Sequence, residues 1–170
     1  MLLVLFYFIR CDSLTFENKE NLTQSMVKEE MNGKENINDI IIKNISVIGF
    51  QAFYRCSSLI SISFQEPLIL TTIKGSAFSD CKKLKSISIP SSVQIINIGA
   101  FQNCSSLISV SFQEPSNLNA IYGGVFYECS KLKSLTILSN ISKMFKFNKH
   151  IISRTIKFNK NWRTIIFKLF

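Results

Sequence analysis

The chain has 170 residues, 46% of them hydrophobic, enough to bury a core, which excludes a disordered polyelectrolyte. Its formal charge of +9 is not spread evenly: residues 1–140 carry 12 bases against 11 acids, and residues 141–170 carry eight bases and no acid. A single histidine, His150, leaves most of the chain without a base for a hydroxyl or thiol nucleophile, so an enzyme is not expected.

Leu2 to Ile9 is a short apolar run for which two readings are open. It has the character of a signal peptide's apolar stretch, although no Lys or Arg precedes it, Arg10 and Cys11 follow at once and no A-x-A cleavage site is present. Alternatively Phe8, Cys11 and Leu14 form a degenerate F-x-x-C-x-x-L, the pattern described below. Thr15 to Asn38 is polar and charged and reads as loop or disorder. Ile40, Ile41 and Ile42 fit the strand of a partial leading unit, with Ile45 and Ile48 at its end.

From there the chain repeats itself. CSSLISISFQEP, Cys56 to Pro67, recurs 48 residues later as CSSLISVSFQEP, Cys104 to Pro115, with Ile62 replaced by Val110. Phe53, Phe78, Phe101 and Phe126 are separated by 25, 23 and 25 residues. Cys56, Cys81, Cys104 and Cys129 follow each at plus three, and Leu59, Leu84, Leu107 and Leu132 at plus six. Ile62, Ile87, Val110 and Leu135 come next, then Phe64, Ile89, Phe112 and Ile137. Pro67, Pro90 and Pro115 are followed at plus three by Leu70, Val93 and Leu118 and at plus six by Ile73, Ile96 and Ile121. An ancestral 48-residue pair of units, duplicated, accounts for this spacing.

A period of 23–25 residues implies a solenoid in which each unit covers the apolar side of the next. Alternation in L-x-x-I-x-I predicts one short strand per unit, paired in parallel with its neighbours. Proline ends each strand, because it lacks the donor. Ile48, Ala52 and Phe53 stand at helical spacing, so a short helical or 3₁₀ segment is expected behind the sheet, with Gly49, Gly75, Gly99 and Gly124 easing entry to it.

F-x-x-C-x-x-L-x-S-I-x-I-P with I-G-x-x-A-F resembles the BspA-like leucine-rich repeat family, from about Ile45 to Met144. The resemblance implies a leucine-rich-repeat solenoid of stacked parallel strands, exposed at a cell surface or secreted, and binding host proteins or other cells. The expected organisation is an N-terminal segment 1–39, a solenoid 40–144 and a basic extension 145–170. An intracellular (cytoplasmic), membrane-peripheral protein acting through the basic extension, and a non-functional fragment of a larger repeat protein, are the alternatives.

The residues beside the buried strand positions are Ser61, Ser63, Ser86, Ser88, Ser109, Ser111, Ser134 and Thr136, hydroxyls throughout. They are the candidate binding surface on the concave face for a protein or glycan; equally, they solvate an exposed parallel sheet without crowding. The repeat cysteines lack C-x-x-C spacing and, with an odd total of five, read as small buried residues with a weak donor for a turn carbonyl rather than as disulfide or metal ligands. No cofactor, metal or small-molecule substrate is expected. Lys82, Lys83 and Lys85, echoed by Lys131 and Lys133, make a basic edge. In the extension, Met144, Ile151, Phe158 and Ile165 recur every seven residues, as in a basic amphipathic helix that caps the solenoid or lies on an anionic membrane. Nucleic acid binding and a plain non-repeat extension are the other readings.

Overall fold

The computed structural model describes residues 13–32, 37–137 and 165–168. Strands form where the alternation predicts them: β3 (Ser61–Gln65), β5 (Ser86–Ile89), β7 (Ser109–Phe112) and β9 (Ser134–Ile137). Ile62, Ile87 and Val110 point into the core while Ser63, Ser86, Ser88 and Ser111 are exposed. β5 pairs in parallel with β7, and β7 with β9, so that Ile87 lies beside Val110 and Val110 beside Leu135.

Each full unit contributes a second strand that the sequence does not announce. β4 (Thr72–Ile73), β6 (Ile95–Ile96) and β8 (Ala120–Ile121) are two residues long and pair in parallel with one another. Their signal, an apolar residue three and six places after proline, has no period of two, which is why one strand per unit is expected and two are found. Ile73, Ile96 and Ile121 are buried on this second sheet.

The N-terminal region departs most from expectation. The segment read as loop or disorder forms β1 (Ser13–Leu22) and α1 (Gln24–Met31), followed by β2 (Asp39–Ile48). β1 pairs with β2 in parallel, and β2 pairs through its first half with β3 and through its last residues with β4. No proline divides these two strands, so β2 runs unbroken past both β3 and β4 and joins them, with β1, β6 and β8, in one six-stranded sheet beside the sheet that holds β5, β7 and β9. β1 buries only Leu14, Phe16 and Leu22; its backbone pairing, not its apolar pattern, makes it a strand. Helix α1 starts at Thr23, whose Oγ1 accepts from the Met26 N–H (3.4 Å), and buries Val27. Leu14 aligns with Ile40 and Ile62, three positions beyond the place that a degenerate F-x-x-C-x-x-L would give it. That reading is therefore displaced for Leu14; Phe8, Cys11 and the apolar run Leu2 to Ile9 lie outside the described residues.

Behind the sheets the chain is a run of turns. The i→i+3 bonds of a 3₁₀ turn are present, from Ala52 N–H to Gly49 O (3.3 Å), Tyr54 N–H to Gln51 O (3.0 Å) and Cys56 N–H to Phe53 O (3.2 Å). Alternate N–H groups instead reach the next unit: Phe53 donates to Ala77 O (2.7 Å), Phe78 to Ala100 O (2.8 Å) and Phe101 to Val125 O (2.9 Å). This alternation needs left-handed residues two before each Phe, at Gln51, Ser76, Gly99 and Gly124, and two after, at Arg55, Asp80, Asn103 and Glu128. Such reversals stop the turns from continuing as a helix. Gly49 serves a different need, since a Cβ there would come 2.6 Å from the Leu22 carbonyl oxygen.

Between sheets and turns the phenylalanines stack. Ring centroids are 5.0 Å apart for Phe53–Phe78, 5.2 Å for Phe78–Phe101 and 5.7 Å for Phe101–Phe126, nearly parallel in each case. Phe16 meets Phe53 edge-on at 5.6 Å and closes that end. Beyond the stack, the column Phe50, Gly75, Ile98, Gly123 alternates large and absent side chains, with the Phe50 ring over Gly75 and Ile98 left 66% exposed. In the basic extension, Ile165–Lys168 forms β10, antiparallel to β9. The helix expected there is not formed over these four residues; the rest of the extension lies outside the described residues.

Phe78 is fully buried between two rings. Phe78→Ala should therefore cost about 3–5 kcal/mol in urea unfolding, and a loss below about 1 kcal/mol would show that the stack does not hold the solenoid together.

Candidate functional site

The strand face carries two rows of hydroxyls. Ser86, Ser109 and Ser134 are direct neighbours across β5, β7 and β9, as are Ser88, Ser111 and Thr136. Ser61 and Ser63 stand on β3, beside Asp39 and Ile41 of β2. Ser63, Ser86, Ser88 and Ser111 are exposed, and Ser61 and Ser109 half-buried. Ser134 and Thr136 are placed by backbone register. Ser61 Oγ donates to Asp39 Oδ1. On β2 the rows are interrupted by Asp39 and Ile41, and hydroxyls resume on β1, where Ser13 and Thr15 align with these two. Their signal was masked because β1 and β2 lack the Phe and Cys that mark the other units.

Neighbouring strands of such a sheet lie about 4.8 Å apart, so the face is a grid of small groups that can each donate and accept. β5 is linked to the preceding unit by the bond from Lys85 N–H to Ile60 O (3.2 Å), while β3 pairs with β2. Glu66 and Glu114, in equivalent loops, each accept from a backbone N–H two residues on, at Leu68 (2.9 Å) and Ser116 (3.1 Å). Both carboxylates shape the turns in which they stand.

The cysteines act across the rungs. Cys81 Sγ donates to Phe53 O (3.2 Å), Cys104 Sγ to Phe78 O (3.1 Å) and Cys129 Sγ to Phe101 O (3.1 Å). Each thiol thus answers a carbonyl of the preceding unit. Cys56, whose preceding rung is the helix α1, lies 3.8 Å from Met31 Sδ instead. Burial raises the Cys56 thiol to about 11 and holds Cys81 well above the ordinary value. Asn44 donates its side-chain amide to Asn18 Oδ1 (2.7 Å), and Asn103 is half-buried with its amide on Asp80.

The model of the BspA type leucine rich repeat region matches residues 25–151, in six copies. The chain belongs to this family. The match begins before the solenoid start expected at residue 40, in keeping with the rung that α1 and β2 form without Phe or Cys. Two solved structures are similar. The pneumococcal vaccine antigen PcpA is 28% identical with a TM-score of 0.54, covering 56% of this chain and 24% of that one. A leucine-rich repeat protein from Bacteroides ovatus is 25% identical with a TM-score of 0.56, covering 72% of this chain and 30% of that one. The chain thus spans less than a third of either solved protein. No curated protein matches it.

Protonated thiols in the native state set a pH dependence. Cys56 ionises near 9.0 when unfolded and near about 11 when folded, so its contribution is full below the lower value and is lost as pH rises through the higher. The unfolding midpoint should fall between about pH 9 and 11, and less so in Cys56→Ala; an identical fall in both proteins would remove Cys56 as a cause. At about pH 8, Cys81 and Cys104 should resist a thiol reagent until urea is added.

Proposed function

We propose that this chain is a non-catalytic binding scaffold that recognises a protein partner through its hydroxyl strand face at a cell surface. The observation that carries the reading is the pair of hydroxyl rows in register across β5, β7 and β9, with Ser61 and Ser63 on β3, of which Ser63, Ser86, Ser88 and Ser111 are exposed. Family membership supports it, since a leucine-rich repeat presents its strands as an extended surface. The similar pneumococcal protein is a vaccine antigen, which supports a surface location.

A flat grid of hydroxyls suits a partner that lies along it, such as an extended segment whose backbone meets successive serines. Desolvating a neutral hydroxyl costs little beside a charge, so the face can be covered at modest cost if most of its groups find partners. Shape and hydrogen bonds would then set selectivity.

Ser63→Glu with Ser111→Glu places two charges on non-adjacent rungs without touching the core. Binding of the purified chain to intact cells, read by flow cytometry, should fall about tenfold, with the free energy of urea unfolding changed by less than about 0.5 kcal/mol. Unchanged binding would exclude the strand face. Surface biotinylation of cells expressing the chain checks location, and labelling confined to lysates would exclude the surface.

A further inference from the structure

A second surface lies at the N-terminal ends of the strands. Lys85 N–H donates to Ile60 O (3.2 Å), Ile108 N–H to Lys85 O (2.8 Å) and Lys133 N–H to Ile108 O (2.9 Å), so Ile60, Lys85, Ile108 and Lys133 occupy successive rungs of one column. One residue before the buried Leu84 and Leu132 stand Lys83 and Lys131, on rungs that alternate with Ser58 and Ser106. Lys82 joins them, next to Ser57 and Ser105 in its column. All five lysines are exposed, and among the described residues none is in an ion pair.

Two rungs separate the lysine groups, about 10 Å at the usual strand spacing. The duplicated 48-residue pair thus produces a line of cations: three lysines on one rung, a rung of serine and isoleucine, then two lysines. The acids nearest in sequence, Asp80 and Glu128, precede the buried Cys81 and Cys129, and Asp80 already accepts from Asn103. Glu66 and Glu114 belong to loops beyond the opposite ends of β3 and β7. Like charges held this close repel one another, and a polyanion relieves the repulsion.

We propose that this edge binds a sulfated polysaccharide. The columns that carry the lysines hold serines and isoleucines and no aromatic residue. A single-stranded nucleic acid would need stacking platforms, and the exposed aromatics Phe50, Tyr122 and Tyr127 lie on the turn run. Compact ammonium groups on flexible stems suit isolated sulfates, and Ser57, Ser105 and Ser130 offer hydroxyls to the sugar between them. This surface is separate from the hydroxyl strand face, and either can exist without the other.

The probe is a heparin hexasaccharide added to the full chain, with lysine acetylation followed residue by residue by mass spectrometry. Lys83, Lys85, Lys131 and Lys133 should acetylate about tenfold more slowly when the probe is bound, while Lys43 and Lys74 are unchanged. Lys83→Ser with Lys131→Ser, which places in each column the residue already found at Ser58 and Ser106, should weaken heparin binding about tenfold. Lys146→Ser with Lys149→Ser removes the same charge from the basic extension and should leave the protection of the edge in place. Uniform protection, protection confined to the extension, or none, would overturn the proposal. Equal protection by a short duplex DNA would overturn the choice of partner. Loss of heparin protection with cell binding intact would leave the strand-face reading standing, and the converse result would leave this one.

Discussion

The apolar side of each rung has nothing to cover it except the next rung. Every other regularity follows from that constraint. A phenylalanine at each 23–25-residue step stacks on the one before at 5.0–5.7 Å, and its carbonyl, which already accepts the cysteine N–H of its own unit, takes a second donor from the thiol of the next rung. Alternate backbone N–H groups of the turns reach the neighbouring unit rather than their own. The structure is therefore bonded mainly along its axis, and each rung is only as secure as the pair that flanks it.

What the sequence made legible was whatever repeats with a short period. The strands, the inward Ile and Leu, the outward serines and the Phe–Cys–Leu column could all be placed by counting. The second sheet could not, because β4, β6 and β8 are two residues long and their apolar residues fall three apart. The left-handed positions beside each phenylalanine were also hidden: they hold Gln, Ser and Gly on one side and Arg, Asp, Asn and Glu on the other, with no shared chemistry. β1 was missed for a third reason. Its Lys, Glu and Asn residues satisfy water on the outside, while its strand form is imposed by β2.

The candidate site was legible for the same reason as the core, since a period of two that buries Ile87 must expose Ser86 and Ser88. Its extension onto Asp39, Thr15 and Ser13 was not, because no cysteine or phenylalanine signals those rungs. Charge is sorted along the strands rather than across them. Lysines gather where strands begin, glutamates in loops where β3 and β7 end, and the rows of serine on β5 and β7 between them are neutral. A ligand lying along the solenoid would stay within one of these zones, and a ligand lying across it would meet all three.

The column Phe50, Gly75, Ile98, Gly123 alternates with the 48-residue pair, not with the single unit. A rung displaced by one unit would set Phe50 beside Ile98 and leave two glycines facing each other. A displacement by two units meets no such penalty, and the rungs that begin at Cys56 and Cys104 differ by one methylene over twelve residues. During folding, then, the chain is protected against mistaking a rung for its neighbour but hardly against mistaking it for its duplicate. The same equivalence lets a pair of rungs from one molecule take the place of a pair in another, so exchange of two-unit blocks between chains is the misassembly that this repeat invites.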